Sequence, residues 1–223
     1  MADFVALRDA MVDSQIRTVE VGEKRVLDAF RSVPRERFVP GRQRTLAYSD
    51  EHLLIKAAGP GAPARYLLGP AVLARLVQAA EIAPSAIVLD LGAGSGYGAA
   101  ILSRLANSVV ALEPDADLAA LATENLESAE ISNVAVLSEP LAGGFPDRAP
   151  YDAILIEGAV DEVPAALLEQ LKDGGRLVAM VGRGQAAAGT VYLRSDGAVS
   201  SRTLFNARAE TLPGFERANG FVF

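Results

Sequence analysis

At 223 residues, half of them apolar and 22% charged, the chain has the size and balance of a one-domain globular protein able to bury a substantial core. Its net charge of −7 argues against a binder of phosphate backbones. The absence of cysteine excludes disulfides, thiolate catalysis and cysteine metal sites, and the single histidine, His52, excludes a site needing two imidazoles.

Residues 1–82 are expected to form a mostly helical cap. FVALRDAM sets Phe4, Leu7 and Met11 at helical spacing. EKRVLDAF places Val26, Leu27 and Phe30 on one face, and Pro34 ends that run. The arginines of RERFVPGRQR, namely Arg35, Arg37, Arg42 and Arg44, read as a solvated surface segment. KAAGPGAPAR, residues 56–65, reads as a turn-rich linker. PAVLARLVQAA then opens a helix with Pro70 in its first turn and an apolar face of Val72, Leu73, Leu76, Val77 and Ala80.

Residues 83–182 alternate strands and helices. The predicted strands are AIVLDL, SVVALE, NVAVLS, YDAILIE and GGRLVAMVG. The helices GYGAAILSRLA, DADLAALATENLESA and VPAALLEQL lie among them. Such alternation predicts right-handed crossovers and a parallel, doubly wound sheet. Residues 183–223 are expected to finish it with antiparallel strands: TVYLRSDGAVSSRTLF reads as a hairpin around Asp196-Gly197, and FVF as a last short strand. The three stretches together are read as one domain.

The segment VLDLGAGSGYG, residues 88–98, carries Gly92, Gly94, Gly96 and Gly98. A dinucleotide fingerprint requires glycine where Tyr97 stands, and a phosphate P-loop requires a lysine that is missing. What remains is G-x-G-x-G preceded by Asp90, the form used for S-adenosylmethionine. Its glycines admit close backbone approach, and helix-start N–H groups meet a carboxylate. The candidate cofactor-binding residues are Asp90, Leu91, Gly92, Ala93, Gly94, Ser95, Gly96 and Tyr97, with Glu113 and Pro114 at the end of the next strand. Glu113 is placed to accept both hydroxyls of a ribose. The competing reading makes the glycines a tight turn and Glu113 a surface acid.

Five segments carry a resemblance: MVDSQI (11–16), VLDAFRSVPRERFVP (26–40), AYSDEHLLI (47–55), VLDLGAGSGYGAAILSRLA (88–106) and APYDAILIEGAVDEVPAALLEQLKDGGRLVAMVG (149–182). The chain resembles the protein-L-isoaspartate O-methyltransferase family over nearly its whole length. The resemblance implies a class I, Rossmann-like S-adenosylmethionine-dependent methyltransferase with an N-terminal helical extension. Its reaction is protein repair: methyl transfer to the side-chain-like carboxylate of an isoaspartyl residue. The implied partner is a damaged protein or peptide, with a small-molecule acceptor as the other possibility, and with no nucleic acid, membrane or metal. A cytoplasmic location is expected, from a start that lacks a basic leader and from the absence of a long apolar run.

Two departures from the family pattern stand out. Where it reads Thr-Ile-Ser-Gln-Pro, this chain has Tyr66, Leu67, Leu68, Gly69 and Pro70, so Leu68 occupies the active-site serine position and no catalytic residue is assigned. Where it reads Gly-Asp-Gly, with the acid facing the adenine amino group, the chain has Glu139, Pro140 and Leu141, which join the candidate cofactor residues. These departures leave open a different acceptor, or a non-catalytic binding or scaffold role. Of the remaining polar residues, Asp50 and Glu51 read as either a loop cap or acids near the cofactor mouth, His52 as a solvated loop residue, and Glu157 as a strand-end acid on the cofactor side. Gln15 is read as touching either substrate or solvent, and Tyr97 as either shielding the sulfonium or packing on the cap.

Overall fold

The computed structural model describes residues 3–215; the FVF strand expected at 221–223 lies outside them. The cap begins with α1 (Phe4–Met11), capped by the Asp3 carboxylate, which accepts from the Val5 and Ala6 amides. A π-helical turn (Val12–Ile16) and a 3-10 turn (Arg17–Val19) lead to α2 (Lys24–Ser32). Two strands, β1 (Leu53–Lys56) and β2 (Arg65–Leu67), pair antiparallel with each other in a sheet of their own. The stretch 1–82 is mostly helical, but the linker expected at 56–65 is the tip and far side of a hairpin, whose strands are too short to show a period. Helix α3 (Pro70–Ala79) follows, with Asp50 Oδ1 accepting from the Ala71 amide at its start.

The core strands are β3 (Ile87–Leu91), β4 (Ser108–Leu112), β5 (Val134–Leu137), β6 (Tyr151–Val160) and β7 (Leu171–Val181), with helices α4 (Tyr97–Ser103), α5 (Ala116–Ser128) and α6 (Ala165–Glu169). Strands β8 (Ala188–Ser195) and β9 (Ala198–Asn206) complete a seven-stranded sheet of order β5-β4-β3-β6-β7-β8-β9. Pairings from β5 through β7 are parallel and the last two antiparallel. Asp196 and Gly197 join β8 to β9 with φ of 51° and 77°, the left-handed pair that a two-residue hairpin turn demands.

Strand side chains alternate between two apolar layers. Val88, Val109, Ala153 and Val178 face a core shared with Phe30, Phe38 and Ile101. Leu89, Leu112, Ile154 and Leu177 face the other core, with Leu167 and Leu212. Both faces are covered, which is why these strands read as continuous apolar runs. Chain order reverses at β3, which has β4 on one side and β6 on the other, so the crevice beyond its carboxyl end is where such a sheet binds ligands. No helix among the described residues is long and apolar enough to cross a membrane.

Candidate functional site

Strand β3 ends on Asp90 and Leu91 and turns through three glycines with positive φ: Gly92 at 85°, Gly94 at 56° and Gly96 at 91°. A side chain at any of these positions would be strained. The Gly92 and Ala93 amides both donate to the Leu112 carbonyl, at 2.9 and 3.1 Å, stitching the loop to the end of β4. The Gly94 amide turns the other way and donates to Glu113 Oε2 at 2.8 Å. Thus the loop and the strand-end acid meet, as their positions in the sequence predict.

Glu113 is fully buried. Its Oε1 also accepts from the Asp115 amide at 3.1 Å. The rest of its hydrogen-bonding capacity is taken by Arg65, which the sequence places in a linker. Arg65 Nη2 donates to Oε2 at 2.7 Å, and Nη1 donates to Oε1. A carboxylate offers about four acceptor positions, and here two backbone amides and one guanidinium fill them. Arg65 is only 4% exposed. It arrives at the start of β2, while Lys56 at the end of β1 pairs with Asp115 at 2.6 Å and Asp117 at 2.9 Å. The hairpin is therefore clamped over the acid at both of its strands.

Apolar side chains of the chain also lie against the glycines. A Cβ added at Gly94 would sit 2.7 Å from Ile55 Cδ1, and one at Gly92 would sit 2.8 Å from Leu212 Cδ1. Leu212 is delivered by the segment after β9. That segment runs along the end of β6, with Ala159 N donating to Glu210 O and Leu212 N donating to Ala159 O, both at 2.9 Å. The backbone loop and Glu113 are the groups an adenosyl ligand requires. The loop and Glu113 fit that ligand, and in this structure Arg65, Ile55 and Leu212 close over them.

Behind the loop lies a buried acid pair. Asp90 is fully buried and Glu157 4% exposed. Both Asp90 oxygens and Glu157 Oε1 are buried without a hydrogen-bond partner. Burial pushes Asp90 up to about 7; the neighbouring Glu157 carboxyl opposes the rise and the Glu113 charge adds to it. Burial also raises Glu157 well above the usual carboxylate range, the neighbouring Asp90 raises it further, and Arg35 opposes. Burial thus favours the protonated form of both acids. The Glu157 carboxyl fills the space where Gly98, in the first turn of α4, has no side chain.

Arg35 corrects the expectation of a solvated arginine segment. Arg37, Arg42 and Arg44 are exposed, but Arg35 has no exposed surface. It donates from Nε to the Ala47 carbonyl at 2.8 Å and from Nη2 to the Leu68 carbonyl at 2.7 Å, and lies 4.7 Å over the Tyr97 ring. Tyr97 packs into the cap, with Phe30 and Phe38 edge-on at 6.2 and 5.7 Å.

The other candidates scatter. Leu91 and Ala93 are buried, as is Ser95, whose Oγ has no partner, and Pro114 is exposed. Glu139 and Pro140 are exposed in the loop after β5, and Leu141 turns into the second core. Leu68 is buried. Gln15 donates to the Tyr48 carbonyl at 2.8 Å. His52, expected to be solvated, is half-buried, and burial pulls its imidazole below its ordinary pKa. Sequence reasoning missed Arg65, Ile55, Leu212 and buried Arg35. One signal was available: Arg65 is the only charged residue between Lys56 and Arg75, and a lone charge in an apolar stretch calls for a partner.

A parallel sheet reversed at β3, a glycine loop leading into α4, and an acid closing β4 define the class I methyltransferase fold. The chain matches the family model of protein-L-isoaspartate(D-aspartate) O-methyltransferase over residues 6–211, and it belongs to that family. It is 37% identical over 214 residues to a protein-L-isoaspartate O-methyltransferase of Koribacter versatilis, covering 96% of this chain and 94% of that one. A relative of the same name in Roseiflexus castenholzii is 44% identical over 184 residues, covering 82% and 81%. A solved protein-L-isoaspartate O-methyltransferase superposes with a TM-score of 0.80 at 25% identity, over 93% of this chain and 66% of that longer one. A Plasmodium falciparum structure described as a β-aspartate methyltransferase, in complex with S-adenosyl-L-homocysteine, shares the fold with a TM-score of 0.75 at 17% identity, over 92% and 97%.

Proposed function

We propose that this chain is an S-adenosylmethionine-dependent carboxyl O-methyltransferase that acts on isoaspartyl residues of damaged proteins and peptides. The observation that carries the reading is the Gly94–Glu113 contact, which joins the glycine loop to the strand-end acid within a chain of this family. The cofactor-binding residues of this reading are Asp90, Gly92, Ala93, Gly94, Ser95 and Gly96 of the loop and Glu113 on β4. Residues 1–82, 83–182 and 183–223 serve as one domain around them. An isoaspartyl carboxylate is ionised at neutral pH, so the reading needs no general base and assigns none. The net charge of −7 favours a protein or peptide acceptor over nucleic acid, and a chain without cysteine suits the cytoplasm.

The test is a calorimetric titration with S-adenosylhomocysteine, followed in the same preparation by methyl transfer to an isoaspartyl peptide and to its aspartyl counterpart. Transfer confined to the isoaspartyl peptide is expected. Binding with no transfer to either peptide would remove the acceptor from the reading, whereas a protein that never binds the product would remove the cofactor.

A further inference from the structure

Glu113 has no acceptor position left for a ribose. Its four hydrogen bonds come from Gly94 N, Asp115 N and two nitrogens of Arg65. The amides belong to the loop and to the start of α5, and they hold the carboxylate in place. The two positions that Arg65 occupies are those that a vicinal diol would need. We propose that Arg65 is a self-ligand of the cofactor site. In this chain the guanidinium occupies the ribose seat, and a nucleoside ligand enters only when the β1–β2 hairpin carries Arg65 away. The proposal rests on the cofactor reading above.

Three features of the hairpin fit such a displacement. Its two strands pair only with each other and join no strand of the main sheet. The tip, residues 57–63, is exposed. Its polar hold on the main sheet and α5 runs through side chains, Arg65 with Glu113 and the Gly92 carbonyl and Lys56 with Asp115 and Asp117, while Leu53 and Leu67 anchor its base in the core and no backbone ladder joins it to the sheet. Ile55, which lies against Gly94, is carried by the same hairpin, so one movement would uncover both the loop and the acid. The exchange also balances in charge-assisted hydrogen bonds. Two guanidinium donors leave a buried carboxylate and two hydroxyl donors replace them, so the carboxylate is not left unpaired.

A ligand that binds only the displaced form has its apparent affinity reduced by the fraction of that form. Arg65→Gln removes the bidentate clamp and leaves a single amide donor beside Glu113. It is therefore expected to bind S-adenosylhomocysteine about 10- to 100-fold more tightly than the unaltered chain, measured by calorimetry. Arg65→Lys serves as the second variant if the glutamine form unfolds below room temperature by circular dichroism. A lysine keeps the charge but cannot span both carboxylate oxygens in the same fork, and it should tighten binding in the same direction. A crystal structure of the unaltered chain with S-adenosylhomocysteine is expected to show Arg65 off Glu113. Equal affinities for the unaltered chain and the folded variant, or a complex in which Arg65 still grips Glu113, would overturn the self-ligand and leave the cofactor reading standing. Absence of binding in every folded variant would overturn both.

Discussion

The Asp90–Glu157 pair makes a prediction about stability and pH. Unfolded, both carboxyls titrate near pH 4. Folded, burial holds Asp90 up to about 7 and Glu157 well above its usual range. Between those limits the native state binds more protons than the unfolded state, so stability falls as pH rises. The contribution of the pair is complete below about pH 4 and is lost as pH climbs toward and past about 7. Each extra proton retained gives a slope of about 1.4 kcal/mol per pH unit. Glu157→Gln keeps the size and a donor toward Asp90 but removes one titrating group. Relative to the unaltered protein, the variant should therefore gain about 1–3 kcal/mol on going from pH 5 to pH 7. The assay is urea unfolding followed by far-ultraviolet circular dichroism at several pH values, because the chain has no tryptophan to report by fluorescence. Parallel stability profiles for the two proteins would refute the raised Glu157 carboxyl, and a variant less stable at pH 8 than at pH 5 relative to the parent would refute the sign.

Three more outcomes are expected. Gly98→Ala should destabilise by about 2–4 kcal/mol, because the new methyl overlaps the Glu157 carboxyl and outweighs the gain of about 1 kcal/mol in helix propensity; the Gly98→Ala/Glu157→Ala double variant should recover part of the loss in a double-mutant cycle. Arg35→Met should cost about 3 kcal/mol in urea unfolding, since the Ala47 and Leu68 carbonyls lose their donor and Glu157 loses a nearby positive charge. Leu68→Ser should cost about 2–4 kcal/mol at its buried position while raising turnover of an isoaspartyl peptide, and unchanged turnover in a folded variant would separate this position from substrate recognition.

Elements that bury regular faces were legible in the sequence. β3, β4 and β6 announce themselves as apolar runs because both of their faces are covered, and Gly92, Gly94 and Gly96 announce a loop because only glycine adopts their backbone angles without strain. The hairpin β1–β2 was not legible: strands of four and three residues complete no period, and the glycines and prolines between them look like a linker. Arg65 and Arg35 were misread for a different reason. Their partners are distant in sequence, Glu113 for the first and the Ala47 and Leu68 carbonyls for the second, and apart from the isolation of Arg65 between Lys56 and Arg75 no local pattern tells these buried arginines from solvated ones. The sequence leaves two readings for Tyr97 because its direction depends on Phe30 and Phe38, which reach it from the cap.

The turn at Asp196 and Gly197 bears on the order in which the sheet assembles. Strands β8 and β9 meet across two residues, with Ser195 opposite Ala198, and β7 joins them through a short loop, so this third of the sheet closes by local contacts. Pairing β3 with β6 instead brings Val88 to Ala153 across most of the parallel core. Loop closure over that distance carries a larger entropy cost and waits for the crossover helices to form. Within the sheet, the C-terminal meander is therefore favoured to pair before the parallel core, and the crevice beyond β3 forms only once β3 and β6 have met.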